Sequence, residues 1–154
     1  MTCKDRLESC LRDADVPYAF EHHRTVFTAS EVAETEHIPG RMMAKSVIVE
    51  ADGKLAMLAL PATEKADLGK VETALHVQRA RLASEEEFQR AFPDCELGAM
   101  PVFGNLYGLP VVVDSELAEN ENIVMQAGTH TDTLRLRYAD FARLVTPVVA
   151  DIRH

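Results

Sequence analysis

The chain has 154 residues, 47% of them hydrophobic and 27% charged, with 25 acidic against 16 basic side chains and a net charge of −9. That length suits one domain over 1–154, able to bury about two-thirds of its unfolded surface. The acidic balance excludes general DNA binding, which phosphate neutralisation drives, and no stretch approaches the roughly 18 consecutive apolar residues of a membrane span.

The N-terminal "MTCKDRLESCLRDADV" is charged throughout and lacks the apolar centre of a signal peptide. Leu7, Cys10 and Leu11 recur at helical spacing and predict a helix over 3–14. Cys3, Cys10 and Cys95 cannot all pair within one chain and form no Cys-x-x-Cys, so they read as reduced thiols of a cytoplasmic protein. "YAFEHH" (18–23) alternates as a short strand. Thr28 followed by Glu31 is the pattern of a capping box, opening a helix that Pro39-Gly40 ends. Two apolar runs around Asp52-Gly53, at 45–49 and 55–60, predict a β-hairpin. "EKADLGKVETALH" reads as a helix interrupted near Gly69. Ser84 with Glu87 forms a second capping box, for a helix that Pro93 stops. "VVVD" (111–114), 122–128 and 133–138 predict strands, and 139–145 a closing helix. Hairpin-like pairs among irregularly alternating elements argue for a mixed sheet with helices packed on it.

Several residues invite a chemical reading beside a plain structural one. Lys45 leads into the first hairpin strand, where a lysine either guards a sheet edge or meets a ligand. The segment Gly98 to Gly108 is rich in glycine and proline. It is either a simple connection or a loop whose backbone approaches a substrate. His130, after a glycine between two strands, is either a surface turn residue or a polar substrate contact. Adjacent strand residues face opposite ways, so His22 and His23 do not share a metal easily. No metal site is expected. Asp114 and Glu116 read as a solvated strand end, and Glu85-Glu86-Glu87 as a helix N-terminus favouring negative charge.

"TASEVAE", "AKSVIVEADGKLAMLALPA", "GAMPVFGNLYGLPVVVD" and "IVMQAGTHTDTLRLRYADFARL" occur in one order between Thr28 and Leu144. Together they resemble the YbaK family, free-standing relatives of the editing domain inserted in bacterial prolyl-tRNA synthetases. The resemblance implies a mixed α/β fold, a curved, largely antiparallel sheet with flanking helices. It implies hydrolysis of the ester joining a wrong amino acid to the 3′-terminal ribose of a tRNA, without a cofactor. The substrate would be a small amino acid such as alanine on proline tRNA. By the same resemblance Lys45 meets the phosphate and sugar of the terminal adenosine, Gly98 and Gly104 bound the loop that holds the ester, and His130 lies beside the substrate's amino group. Thr28, Ser46, Met100, Pro101, Val102, Phe103, Gly128 and Thr129 would contribute to substrate binding. Ser46 stands where alanine-specific members are expected to carry asparagine, and Pro101-Val102-Phe103 where two prolines often precede the phenylalanine. The implied partners are the acceptor end of an aminoacylated tRNA and the prolyl-tRNA synthetase or elongation factor holding it. A non-catalytic module binding tRNA ends or a synthetase is the alternative of another class.

Overall fold

The computed structural model of the chain describes residues 1–154. Its first helix, α1 (Cys3–Asp13), starts where the Thr2 side chain accepts the Asp5 N–H and Asp5 accepts the Thr2 N–H. Both predicted capping boxes are present: Thr28 with Glu31 opens α2 (Ala29–Thr35), and Ser84 with Glu87 opens α4 (Glu85–Ala91). Each N-cap satisfies an amide that the helix leaves without a partner, worth about 0.5–2 kcal/mol. Glu87 also takes a forked contact from Arg81, at 2.9 and 3.0 Å, which holds its carboxyl down at about 2. The helix α3 (Leu68–Leu75) runs through Gly69 without the predicted interruption. Asp67 is its N-cap, so Gly69 falls in the first turn, before the run of intrahelical bonds that a glycine would weaken.

The strands are β1 (Tyr18–His22), β2 (Met43–Ala51), β3 (Lys54–Pro61), β4 (Ala80–Leu82), β5 (Val111–Asp114), β6 (Asn122–Gln126), β7 (Asp132–Arg137) and β8 (Val148–Ala150). They form one open mixed sheet in the order β1-β7-β6-β2-β3-β5-β8, with β4 beside β2. The β1–β7, β6–β7, β2–β3 and β2–β4 pairs are antiparallel, while β2–β6, β3–β5 and β5–β8 are parallel. Asp52 and Gly53 both have positive φ, which lets a two-residue turn follow the twist of the β2–β3 hairpin. The short strands β4 and β8 were not among the predicted elements.

Side chains alternate across the strands and build a core on each face. Ala44, Ile48, Met57, Ile123 and Met125 face Leu7 and Leu11 of α1 and Phe141 of α5 (Tyr138–Val145). Leu7, Leu11 and Phe141 are fully buried, each contributing about 1.5–3 kcal/mol of burial. On the other face Leu58, Leu60 and Val112 pack on Val71 of α3, and Met43, Val124 and Ala62 on Val32 and Ala33 of α2. Helices therefore cover both sides of the sheet.

Two further expectations are corrected. Asp114 is not a solvated strand end: it is fully buried, accepts the N–H groups of Ile152 and Glu116 at 3.0 Å each, and pairs with Arg153 at 2.8 Å. The reason is β8, which lies along β5 and carries the chain's last residues over that carboxylate. Nor are all three cysteines reduced thiols. Cys3 and Cys95 form a disulfide across 92 residues of sequence, with Cα atoms 4.9 Å apart, and only Cys10 is free. Because α1 and the segment after α4 pack together, with the Cys3 N–H donating to the Asp94 carbonyl at 3.1 Å, the sulfurs meet through tertiary structure alone.

Such a cross-link restricts a long loop of the unfolded chain, an effect of about 2–4 kcal/mol. Cys3→Ser or Cys95→Ser should lose about that much stability in chemical denaturation without reductant. Added reductant should bring the wild type down to the variants and leave the variants unmoved.

Candidate functional site

The site begins with a gap in the sheet. On the flank of β2 away from β3, β6 pairs only with Met43 and Ala44, and β4 only with Val49, Glu50 and Ala51. Lys45, Ser46 and Val47 therefore have no strand on that side. The loop from Glu96 to Phe103 spans the opening. Its Ala99 carbonyl accepts the Gly128 N–H just past β6 at 2.9 Å, and its Met100 carbonyl accepts the Ser46 hydroxyl of β2 at 3.2 Å. Above the opening sit the first residues of α2, tied to the end of β3 by the Ser30 hydroxyl donating to the Ala62 carbonyl at 3.2 Å.

These pieces enclose a cavity of about 270 Å³ lined by Phe27, Thr28, Ala29, Ser30, Lys45, Ser46, Ala62, Gly98 and Gln126, at the small end of the range for small-molecule pockets. Of the predicted site residues, Thr28, Lys45, Ser46 and Gly98 meet here. Gly98 has φ +83°, a conformation that favours glycine, and this bend brings the loop backbone to the cavity. Lys45 is half-buried and unpaired. Burial holds its ammonium below the ordinary lysine range, with Glu64 opposing that shift and Lys65 adding to it. An incoming anion would relieve that cost of desolvation.

His130 stands next door. It lines an adjoining hollow with Thr25, Phe27, Glu96, Leu97 and Thr131, and the Phe27 ring, 4.9 Å from the imidazole, is the wall between the two. Its Nε2 lies 2.8 Å from the Leu97 carbonyl, so this nitrogen carries a proton and donates it. Its backbone N–H donates to Glu96 Oε1 at 2.7 Å. A Cβ built on Gly98 would sit 3.9 Å from His130 Cε1. The imidazole thus braces the bend that presents Gly98.

The other predicted residues fall outside the cavity lining. Met100, Val102 and Phe103 are buried in the main core, with Phe103 edge-on to Phe141 at 5.4 Å, and Pro101 is buried beside them. Gly104 is a packing glycine: a Cβ there would lie 3.1 Å from Met57 Cβ and 3.1 Å from Val111 Cγ2. Gly128, at φ +94°, makes room for the disulfide, since its Cβ would fall 2.7 Å from both Cβ and Sγ of Cys3. Thr129 donates its hydroxyl to Asp132 at 2.6 Å and shapes the β6–β7 turn. His22 pairs with Asp132 in the open, while His23 is buried 3.6 Å from Glu36, so the two histidines do point apart.

Sequence reasoning missed Phe27, Ala29, Ser30, Ala62 and Gln126. A signal existed for two of them. Phe27 precedes the α2 cap, where an apolar side chain usually staples onto the helix. Instead it is 64% exposed against His130. In "NIVMQ", alternation puts Gln126 on the face of Val124, so a carboxamide follows a core residue on a buried face.

A family model for the aminoacyl-tRNA editing domain matches residues 23–144. Two strains of Acidithiobacillus ferrooxidans have proline–tRNA ligases 31% identical to this chain over 147 residues, covering 94% of it but 25% of each ligase. The chain thus spans about a quarter of the length of those curated relatives. Among solved structures, a hypothetical protein superposes with a TM-score of 0.88 at 16% identity, covering 97% of this chain and 99% of its own. A candidate trans-editing enzyme for prolyl tRNA synthetase superposes at 0.83 with 20% identity, covering 100% and 98%. At such identities the likeness is one of fold.

The two glycines at the ends of the loop should separate on substitution. Gly104→Ala should lower stability by about 1–3 kcal/mol through overpacking, measured by thermal melting, and leave ligand binding by the folded protein intact. Gly98→Ala should leave the core packed while straining the bend, so its loss should appear in the cavity's function.

Proposed function

The chain belongs to the aminoacyl-tRNA editing domain family, and we propose that it is a trans-editing hydrolase. It removes a small amino acid, such as alanine, from mischarged proline tRNA. The observation that carries this reading is Lys45: an unpaired, half-buried ammonium in a small cavity whose other side is the bend at Gly98. A phosphate oxygen of the terminal nucleotide would supply the counter-charge. The ribose and its acyl group would then extend over Gly98 toward α2.

Water is the nucleophile in this scheme. Its oxygen bonds to the acyl carbon, the bond from that carbon to the ribose oxygen breaks, and a water proton ends on the freed ribose hydroxyl. Thiolate catalysis has little to draw on, because Cys95 is bonded to Cys3 and burial pushes the Cys10 thiol up. His130 would act through the loop, holding the Leu97 carbonyl and hence Gly98 in place. The cavity admits a small acyl group, and in such pockets each extra methylene shifts selection by roughly 1–3 kcal/mol. The net charge of −9 disfavours a broad grip on the tRNA body. Prolyl-tRNA synthetase or elongation factor would hold the tRNA, in the cytoplasm, where translation places these partners.

A panel of mischarged tRNAs tests the reading, with alanyl proline tRNA the expected substrate. Lys45→Ala should lower kcat/KM about 10- to 100-fold, the equivalent of about 1.5–3 kcal/mol for a charge-assisted contact, while the melting temperature holds. If the purified protein deacylates no member of the panel yet binds the acceptor end, it is a non-catalytic module.

A further inference from the structure

The polar groups around the cavity differ in whether their protons are already engaged. The Thr28 hydroxyl donates to Glu31 at 3.0 Å, that of Ser30 to the Ala62 carbonyl at 3.2 Å, and that of Ser46 to the Met100 carbonyl at 3.2 Å. Among the lining side chains this leaves two N–H donors without a protein acceptor, Lys45 and Gln126. Gln126 is only 6% exposed, and its Nε2 is buried without any hydrogen-bond partner. Buried amides are almost always paired, so one left unpaired on a cavity wall destabilises the free protein and is accounted for when a ligand supplies the acceptor.

The two donors suit different oxygens. Lys45 carries a full charge and is half-buried, which matches a phosphate. Gln126 is neutral and more deeply buried, and its last torsion turns easily enough to bring the N–H to a ligand. Its position explains why it lies there: Gln126 ends β6 on the face of Val124, where β6 has parted from β2. Its cross-strand partner, Thr133, engages Glu36 at 2.9 and 3.0 Å rather than Gln126.

We propose that Gln126 is a catalytic residue whose side-chain N–H binds the acyl carbonyl oxygen of the ester and stabilises the negative charge that forms there. The proposal rests on the trans-editing reading and adds to it a named side-chain donor. As water attacks the acyl carbon, the carbonyl electron pair moves onto its oxygen and is held by the Gln126 N–H. The pair returns as the ribose oxygen departs. A donor of this kind acts most strongly on the transition state.

The test compares wild type, Gln126→Met and Gln126→Glu by single-turnover and steady-state deacylation of alanyl proline tRNA, alongside thermal melting. Methionine keeps the volume without a donor, and glutamate replaces the N–H with an oxygen that repels the developing charge. Both variants should lose about 100-fold or more in kcat with KM nearly unchanged. Gln126→Met should melt no lower than wild type, because an unpaired buried amide has been removed. An active wild type with a fully active Gln126→Met overturns this assignment and leaves the editing reading standing. So does a Gln126→Met whose melting temperature falls well below wild type, which would make the residue structural. A wild type inactive on every mischarged tRNA overturns the editing reading, and the role of Gln126 with it.

Discussion

The site depends on how briefly β2 and β6 run together. Their parallel pairing lasts two residues, Met43 with Val124 and Ala44 with Met125, before the strands part. A sheet that stayed paired would close this edge of β2 with a neighbouring strand and leave no opening beside Lys45 and Ser46. Because it parts, three consecutive β2 residues face an opening that another segment must fill. The loop after α4 fills it, and two of its buried carbonyls find partners there: Ala99 accepts the Gly128 N–H past β6, and Met100 accepts the Ser46 hydroxyl of β2.

That loop is held from behind as well. Glu96 accepts the His130 N–H, Leu97 accepts the His130 ring N–H, and Cys95 is bonded to Cys3 of α1. Gly128 leaves the room that the disulfide occupies. The result is a bend at Gly98 carried on rigid supports, which suits a site that works largely with backbone and a few fixed donors. The helix α2 closes the cavity from the other side, its position set by the Thr28–Glu31 cap and the Ser30–Ala62 bond.

What the sequence revealed follows the range of the interactions involved. The caps at Thr28 and Ser84, the turn at Asp52-Gly53 and the alternation of β1 are local, and each was legible from a few adjacent residues. The strands β4 and β8 are three residues each and are strands only because β2 and β5 offer them edges. The burial of Asp114 and the Cys3–Cys95 bond likewise depend on segments far apart in the chain. The same division runs through the site. The resemblance singled out Thr28, Lys45, Ser46 and Gly98, which share the cavity, and with them core residues such as Phe103 and Gly104, because a motif does not say which of its members line a cavity. The signal at Gln126, a carboxamide on the buried face of β6, takes on meaning only once its amide proves to be buried and unpartnered.

In the proposed reaction the 3′ end of an aminoacylated tRNA lies in the opening between β2 and β6. The most direct measurement is a crystal structure with 3′-deoxy-3′-(L-alanylamino)adenosine 5′-monophosphate, whose amide replaces the labile ester. The phosphate should lie against Lys45, the sugar over Gly98, and the acyl oxygen within hydrogen-bond distance of Gln126 Nε2. Binding of that compound elsewhere, for instance in the polar hollow formed by Arg41, Asn120 and Arg153, with the β2–β6 opening empty, would contradict the account.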